Sequence, residues 1–393
     1  MRARLSSVWC GVQYTVGALC GKLLLVGAAG VLSGCTTIGY YGQAAQGQWQ
    51  VMSARQPVSR LIASEETDPA LRERLGVARE ILSYAESDLA LPVGRRYSRY
   101  ADIGREDVVY NVVAAPELSL EARRWCYPIV GCAPYRGFFK RRKAEKLAAG
   151  LRDMGLEVSV TGAAAYSTLG WFNDPLLNTF IGWHDGALAS LLIHELAHSR
   201  VWIRGDVRLN ESFASFVGRR GAEAWLADQP QALARFRRDA VDRAAFRRWS
   251  QALRRALVRV YESDDADSVK RQQKSEVMAR YRACYQANRA RFGRGRYDRS
   301  VATINNARLA LMTTYGSFDS AFARLFEDAG GGWPEFYDAV EELATLERSE
   351  RRRYLATLAS GDEGIAAEGD DHGAGEVQCE TFSRHPVGGE TAG

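Results

Sequence analysis

One short stretch carries residue types at a spacing that can hold a metal ion and aim a base at its water. It reads His194-Glu195-Leu196-Ala197-His198, a match to H-E-x-x-H. An α-helix turns about 100° per residue, so His194 and His198 stand about 40° apart on one face and can direct both imidazoles at one ion. Glu195 points to the neighbouring face, where it can hold a water rather than the ion. Catalytic zinc usually takes three protein ligands and keeps one position open. Twelve residues beyond His198 begins Asn210-Glu211-Ser212-Phe213-Ala214. Glu211 is the natural third ligand, supplied by a second helix that returns antiparallel. Two His and one Glu leave the ion positive, so it acidifies a water and polarises a carbonyl.

The same letters could instead be a solvated His pair beside an exposed Glu. The flanks argue otherwise: Ala187, Leu188, Leu191, Leu192 and Ile193 are apolar. A helix so flanked is buried, and a buried His pair without a partner would be costly. The chain has only five His, so a chance match is roughly a sub-percent event.

Several elements must position this stretch. Asp185-Gly186 is a turn signal, and Asp185 reads as the N-cap of the motif helix. His184 is read as a capping or packing histidine, with a place in the cleft as the alternative. Leu71–Leu89 is amphipathic, with Leu75, Ala78, Ile81, Leu82 and Tyr84 at helical spacing. Asp107–Ala114 reads as a strand and Leu156–Thr161 as another. Between them lie the Pro/Gly/aromatic loop CYPIVGCAPYRGFF, too apolar for a plain linker, and a helix over Phe139–Met154 whose Lys140-Arg141-Arg142-Lys143 run is a solvated face. Gln229–Phe292 is long and Arg-rich, with a buried stripe at Phe246, Trp249, Leu253 and Leu257 and a turn at Ser263-Asp264-Asp265. It predicts a helical hairpin whose many Arg are a solvated face. Three further helices are expected over Ala302–Tyr315, Phe318–Asp328 and Trp333–Leu346. The expected fold class is α+β, mainly helical, with a small sheet and a helical C-terminal part from about residue 229.

The ends of the chain differ from its body. The formal charge of +5 includes Arg2, Arg4 and Lys22, and no acid occurs before Cys35. Basic residues ahead of the apolar run Leu23–Leu32, too short to span a bilayer, read as a signal peptide over residues 1–34. The run ends in Leu32-Ser33-Gly34-Cys35, which resembles a bacterial lipobox. Cys35 is then the lipidated residue, and an acylated N-terminus holds the protein to a membrane without a spanning helix. Thr36 after the Cys is the pattern expected of an outer-membrane lipoprotein facing the periplasm. Residues 35–65 read as a lipidated tether and first helix, 66–359 as the catalytic domain, and 360–393 as a disordered acidic tail. In an oxidising compartment Cys126 and Cys132, flanking Pro128 and Gly131, form a small disulfide loop. Cys284 and Cys379 remain, and their pairing is left open. Nucleic acid is not an expected partner of an exported chain.

H-E-x-x-H followed by N-E-x-x-A resembles the gluzincin metallopeptidases, among which the aminopeptidase N family carries both motifs. The stretch HELAHSRVWIRGDVRLNESFASFVG more closely resembles a family of predicted bacterial zinc aminopeptidases, many of them lipoproteins, over about Tyr40 to Leu346. The resemblance implies a zincin-like fold, bound Zn2+, a peptide substrate, and His194, His198 and Glu211 as metal ligands with Glu195 as general base. It implies a Tyr that donates to the developing oxyanion, for which Tyr315 is the first choice and a packed core Tyr the alternative. Asn210, Ser215 and Tyr166 are expected to line the cleft or support the ligands. By analogy with zincins, Gly162–Gly170 is expected to be an edge strand beside the metal that pairs with extended substrate; a packing loop is the alternative. The acid that holds a substrate α-amine in the aminopeptidase N family has no match in GAAAYSTLG, and Asp174 is the remaining candidate. A second function class stays open: an envelope assembly or binding lipoprotein that keeps the zincin fold as scaffold.

Overall fold

The computed structural model describes residues 39–127, 131–165, 173–312 and 318–360. It is mainly helical with small sheets. The buried centre is the motif helix, Asp185–Arg200, whose Leu188, Ala189, Leu192, Ile193, Leu196 and Ala197 are all fully buried. A helix apolar this far round its circumference belongs in a core rather than on a surface.

Three groups of elements enclose it. On one side packs the helix Pro69–Ser87, capped by Asp68, whose Oδ1 accepts from Leu71 N at 2.9 Å. Its buried stripe of Leu75, Ala78, Ile81, Leu82 and Ala85 follows the spacing that the sequence predicts. On another side packs the returning helix Val207–Trp225, capped by Asp206. Behind that helix the C-terminal helices Asp319–Asp328, Trp333–Thr345 and Arg348–Ser360 close the core through a cluster of rings, among them Phe213, Phe216, Phe322, Phe336 and Tyr337. The third group is the hairpin Pro230–Tyr261 and Asp267–Ala287, which has its own core around Trp249, Leu253, Tyr281 and Tyr285.

The central strand Val109–Ala115 pairs antiparallel with Arg136–Phe138 on one edge and Glu157–Ala163 on the other. The helix Arg141–Asp153 covers this sheet through Ala144, Ala148 and Leu151. A second sheet joins the short strands Arg55–Pro57, Arg99–Ala101 and Leu176–Leu177. The loop CYPIVGCAPYRGFF supplies a two-stranded hairpin, Trp125–Tyr127 with Gly131–Ala133, and a disulfide joins Cys126 to Cys132.

Several expectations need correction. Residues 39–53 form a helix, followed by the strand Arg55–Pro57 and the helix Val58–Ala63. The first helix expected within 35–65 is thus present, and Val51 and Val58 pack it and the next helix into the main core. The helix expected over Ala302–Tyr315 is two: Asp298–Ala302 and Asn306–Leu311. Asn305 breaks the run because its side chain accepts from Arg308 N at 3.0 Å and caps the second helix. The helix Arg348–Ser360 was not foreseen; its Arg-rich sequence hides a buried Leu355 and Arg351. The signal segment, Cys35, the tail and Cys379 lie outside the described residues, as do Tyr166 and Tyr315. Cys284 is buried and disulfide-bonded. Among the described residues no helix is long and apolar enough to cross a membrane.

Candidate metal centre

The motif helix is capped by His184, the capping role that the sequence offered for it, and not by Asp185. The His184 imidazole Nδ1 accepts from Ala187 N at 3.3 Å, and its Nε2 faces Asp239 Oδ2 at 3.0 Å. An imidazole acceptor here does the work of the usual oxygen cap. Asp185 is the first helical residue and pairs with Arg74, whose guanidinium also donates to the carbonyls of Ile181 and Trp183. Arg74 thereby fixes the turn from which the motif helix starts.

The glutamate helix lies very close to the motif helix. A Cβ on Gly218 would stand 2.5 Å from the Ser190 carbonyl oxygen and 3.0 Å from His194 Cβ. One on Gly221 would meet Leu89 at 2.7 Å and Ile193 at 3.1 Å. Gly218 follows Glu211 by seven residues, two turns on the same face, so the glycine contact and the Glu211 carboxylate look at the same helix. The turn between the helices is held by Asn210. Its Oδ1 accepts from Ile203 N and its Nδ2 donates to Ile203 O, both at 2.8 Å. Asn210 is buried and spent on this clamp; of its two expected places, lining the cleft or supporting the ligands, the geometry has the second, beside Glu211.

These constraints bring His194, His198 and Glu211 together. The two Nε2 atoms are 3.2 Å apart, and Glu211 places one oxygen 3.5 Å from His194 Nε2 and the other 3.6 Å from His198 Nε2. Tetrahedral ligands about 2.0–2.1 Å from a zinc ion lie about 3.3–3.4 Å from one another, so the donor set fits one such ion. Burial, and then the neighbouring His194, push His198 down to about 4, which keeps its imidazole neutral. Burial pushes Glu211 up, but the hydrogen bond to His194 and the charges of both imidazoles outweigh it and hold the carboxyl below its ordinary value. Both shifts favour the protonation state that can ligate. Trp202 sits edge-on to His198 with ring centroids 5.4 Å apart.

Glu195 stands on the adjoining face and opens into two spaces. One is a cavity of about 770 Å³ that His194, Glu195 and Ser215 line together with the helix Pro230–Tyr261. The other is a small pocket shared with Tyr97, Asp174, Ala165 and Leu191. Ser215 is thus at the cleft, as expected, and Asp174 is near Glu195. The strand Glu157–Ala163 lies at one edge of its sheet and takes in only Gly162 and Ala163 of the edge strand expected over Gly162–Gly170; the chain beyond it reaches the small pocket at Ala165. Residues 166–170 of that expectation lie outside the described residues.

Two tyrosines of the site went unremarked in the sequence. Tyr97 is buried with φ +58°, a backbone conformation costly for a ring-bearing residue, and its N–H donates to Asp174 O at 2.9 Å. Burial and the charges of Glu195 and Asp174 raise its phenol well above the ordinary value, so it keeps its proton. Tyr135, in the turn between Gly131–Ala133 and Arg136–Phe138, keeps an exposed surface, but desolvation of its phenol and then the charge of Glu211 raise it. Nothing in a sequence of 17 Tyr marks these two. The one available signal for Tyr135 was its place in a loop too apolar to be a plain linker.

The family model described as "Putative aminopeptidase" matches residues 39–355, most of the chain, and the chain belongs to that family. No curated protein and no solved structure matches.

Proposed function

With membership of that family as premise, we propose that the chain is a zincin-like, zinc-dependent aminopeptidase held to the bacterial envelope by a lipid on Cys35. The observation that carries the catalytic part is the His194–His198–Glu211 donor set, with atoms 3.2–3.6 Å apart, beside Glu195 at the end of a cavity of peptide size. When bound, zinc supplies Lewis-acid polarisation of a carbonyl and a water acidic enough to attack near neutral pH. His194, His198 and Glu211 hold it; Glu195 does the proton work. Its carboxylate accepts the proton of the attacking water and passes it to the leaving amine of the scissile bond. Tyr97 and Tyr135, both protonated, are candidate donors to the oxyanion, and Tyr315 remains one from the sequence. Asp174 is the acid proposed to hold the substrate α-amine, and Ser215 supports the cleft wall.

The test is metal analysis of the purified soluble chain together with turnover of peptides with free and acetylated N-termini. About one zinc per chain and cleavage restricted to free N-termini is the expected result. Cleavage of acetylated peptides at internal bonds would make the enzyme an endopeptidase. A folded protein that takes up no zinc and hydrolyses nothing would overturn the reading. The anchor is tested separately: Cys35→Ser should move the protein out of the membrane fraction or leave its precursor uncleaved.

A further inference from the structure

The cavity beside His194 and Glu195 has an opposite wall for which the proposed mechanism has no use. That wall is one face of the helix Pro230–Tyr261. Arg237, Ala240, Ala244 and Arg247 step by three or four residues and so share a face, and Arg243 stands three beyond Ala240; all five line the cavity. The sequence reads these arginines as a solvated face. The fold turns part of that face onto the cleft.

The cavity lining carries four arginines, Arg219, Arg237, Arg243 and Arg247, against three acids, Glu195, Glu223 and Asp319, and three of those arginines stand together on this wall. Among the described residues, Arg237, Arg243 and Arg247 make no ion pair and no side-chain hydrogen bond. Of the two acids on this stretch of helix, Asp239 is already taken by His184 at 3.0 Å and Arg296 at 2.9 Å, and Asp242, next to Arg243, makes no ion pair among the described residues but lies within its field. Across the cavity Arg219 stands 4.0 Å from Asp319 and has a counter-ion of its own. The apolar part of the lining includes Leu191 on the motif helix and Phe236, nearly fully buried, on the arginine helix itself. The Arg243 guanidinium lies 5.9 Å from the Phe236 ring centroid, a cation–π contact that restricts where the cation can point. Three cations facing a partly apolar cleft are set up to receive an anion, and a guanidinium fork matches a carboxylate best. At about 770 Å³ the cavity has the size of a small-ligand pocket, about 300–1,000 Å³, so it takes a short peptide and not a folded chain.

We infer that Arg237, Arg243 and Arg247 form a carboxylate-binding wall that selects short peptides bearing a carboxylate a few residues from the bond cleaved at Glu195. The inference rests on the peptidase reading of the same site and adds the substrate class. The carboxylate is either the C-terminal α-carboxylate or an Asp or Glu side chain; both offer the same two oxygens.

The test separates binding from turnover. The zinc-loaded full chain carrying Glu195→Gln is titrated calorimetrically with three matched tetrapeptides. One has a free C-terminus, the second is amidated, and the third is amidated with Glu replacing an inner Ala. Amidation should weaken binding about tenfold or more, the value of one charge-assisted contact. Recovery with the third peptide assigns the wall to side chains; no recovery assigns it to the C-terminus. Arg243→Gln and Arg247→Gln, added singly, should shrink the difference, and raised salt should do the same. Arg235→Gln, exposed on the same helix but outside the cavity, should leave it intact. Wild-type turnover of the same peptides is measured in parallel. If none is cleaved while the binding preference persists, the peptidase reading fails and the carboxylate wall stands. If peptides are cleaved but amidation and both arginine substitutions change binding and kcat/KM less than twofold, the inference is overturned. It is overturned equally if neither charged nor amidated peptide binds at millimolar concentration.

Discussion

Gly218→Ala is the sharpest test of how the metal donors are held. The new methyl group would start 2.5 Å from the Ser190 carbonyl oxygen and 3.0 Å from His194 Cβ. That is roughly 1 Å short of ordinary contact at about 3.5 Å. The obstructing atom is backbone in the middle of a buried helix, so no side chain can swing aside. The helices must separate, and overpacking of this kind costs about 1–3 kcal/mol. Alanine also has the better helix propensity, worth about 1 kcal/mol in return, so the net loss is about 0–2 kcal/mol. Gly76→Ala isolates that propensity, because a Cβ there meets nothing within 4 Å; it should stabilise by about 1 kcal/mol. The difference between the two variants is then the contact term alone. The larger effect is on the site. His194 carries one of the clashing atoms, while Glu211 sits on the helix being pushed away. Metal sites tolerate ligand errors of about 0.2 Å, so zinc affinity should fall about 10–100-fold. Denaturant unfolding of the metal-free proteins reads stability, and competition against a chromophoric chelator reads affinity. A Gly218→Ala protein that matches Gly76→Ala in stability and wild type in zinc affinity would refute the argument.

Other perturbations read other parts of the molecule. Glu195→Gln should keep zinc and fold while losing about 10²–10⁴-fold in peptidase rate; Glu211→Gln should lose zinc affinity itself, and the reverse pattern of metal content would exchange their roles. Arg351 joins Asp206, the cap of the glutamate helix, at 3.3 Å with both side chains buried, and donates to the carbonyls of Leu343 and Leu346. Arg351→Ala leaves a buried carboxylate alone and should cost about 3–5 kcal/mol in equilibrium unfolding, whereas a loss under 1 kcal/mol would show that the pair carries little. Burial pushes Asp239 up, but Arg296 and His184 hold its carboxyl below the ordinary value. A depressed carboxyl stabilises the fold above its unfolded pKa and loses that contribution as pH falls through the folded one. Asp239→Asn should therefore be less stable than wild type at neutral pH and approach it below about pH 4, and a pH-independent gap would contradict the linkage.

Much of the site was legible in the order of residues because its logic is local. His194, Glu195 and His198 lie within one helical turn, and helix geometry alone says which two share a face and which one stands aside. Apolar periodicity likewise announced the helix at Pro69–Ser87 and the strands at Val109–Ala115 and Glu157–Ala163, since one buried face imposes its period on the sequence. What the sequence could not decide were relations between segments. Asn210 beside a ligand reads as part of the cleft or as support for the ligands; only the path of the turn shows that Ile203 consumes both ends of its amide. Asp185 has the chemistry of a cap, yet His184 takes the position because Asp239, more than fifty residues away, orients its ring. Tyr97 and Tyr135 come to the centre from loops whose composition says nothing about where they fold back. Arginines repeated along one helix read as solvated until a neighbouring helix turns three of them toward a cavity. Periodicity records that a face is buried or exposed, because burial acts on each side chain separately. It does not record what lies opposite, because that is set by the packing of elements far apart in the chain.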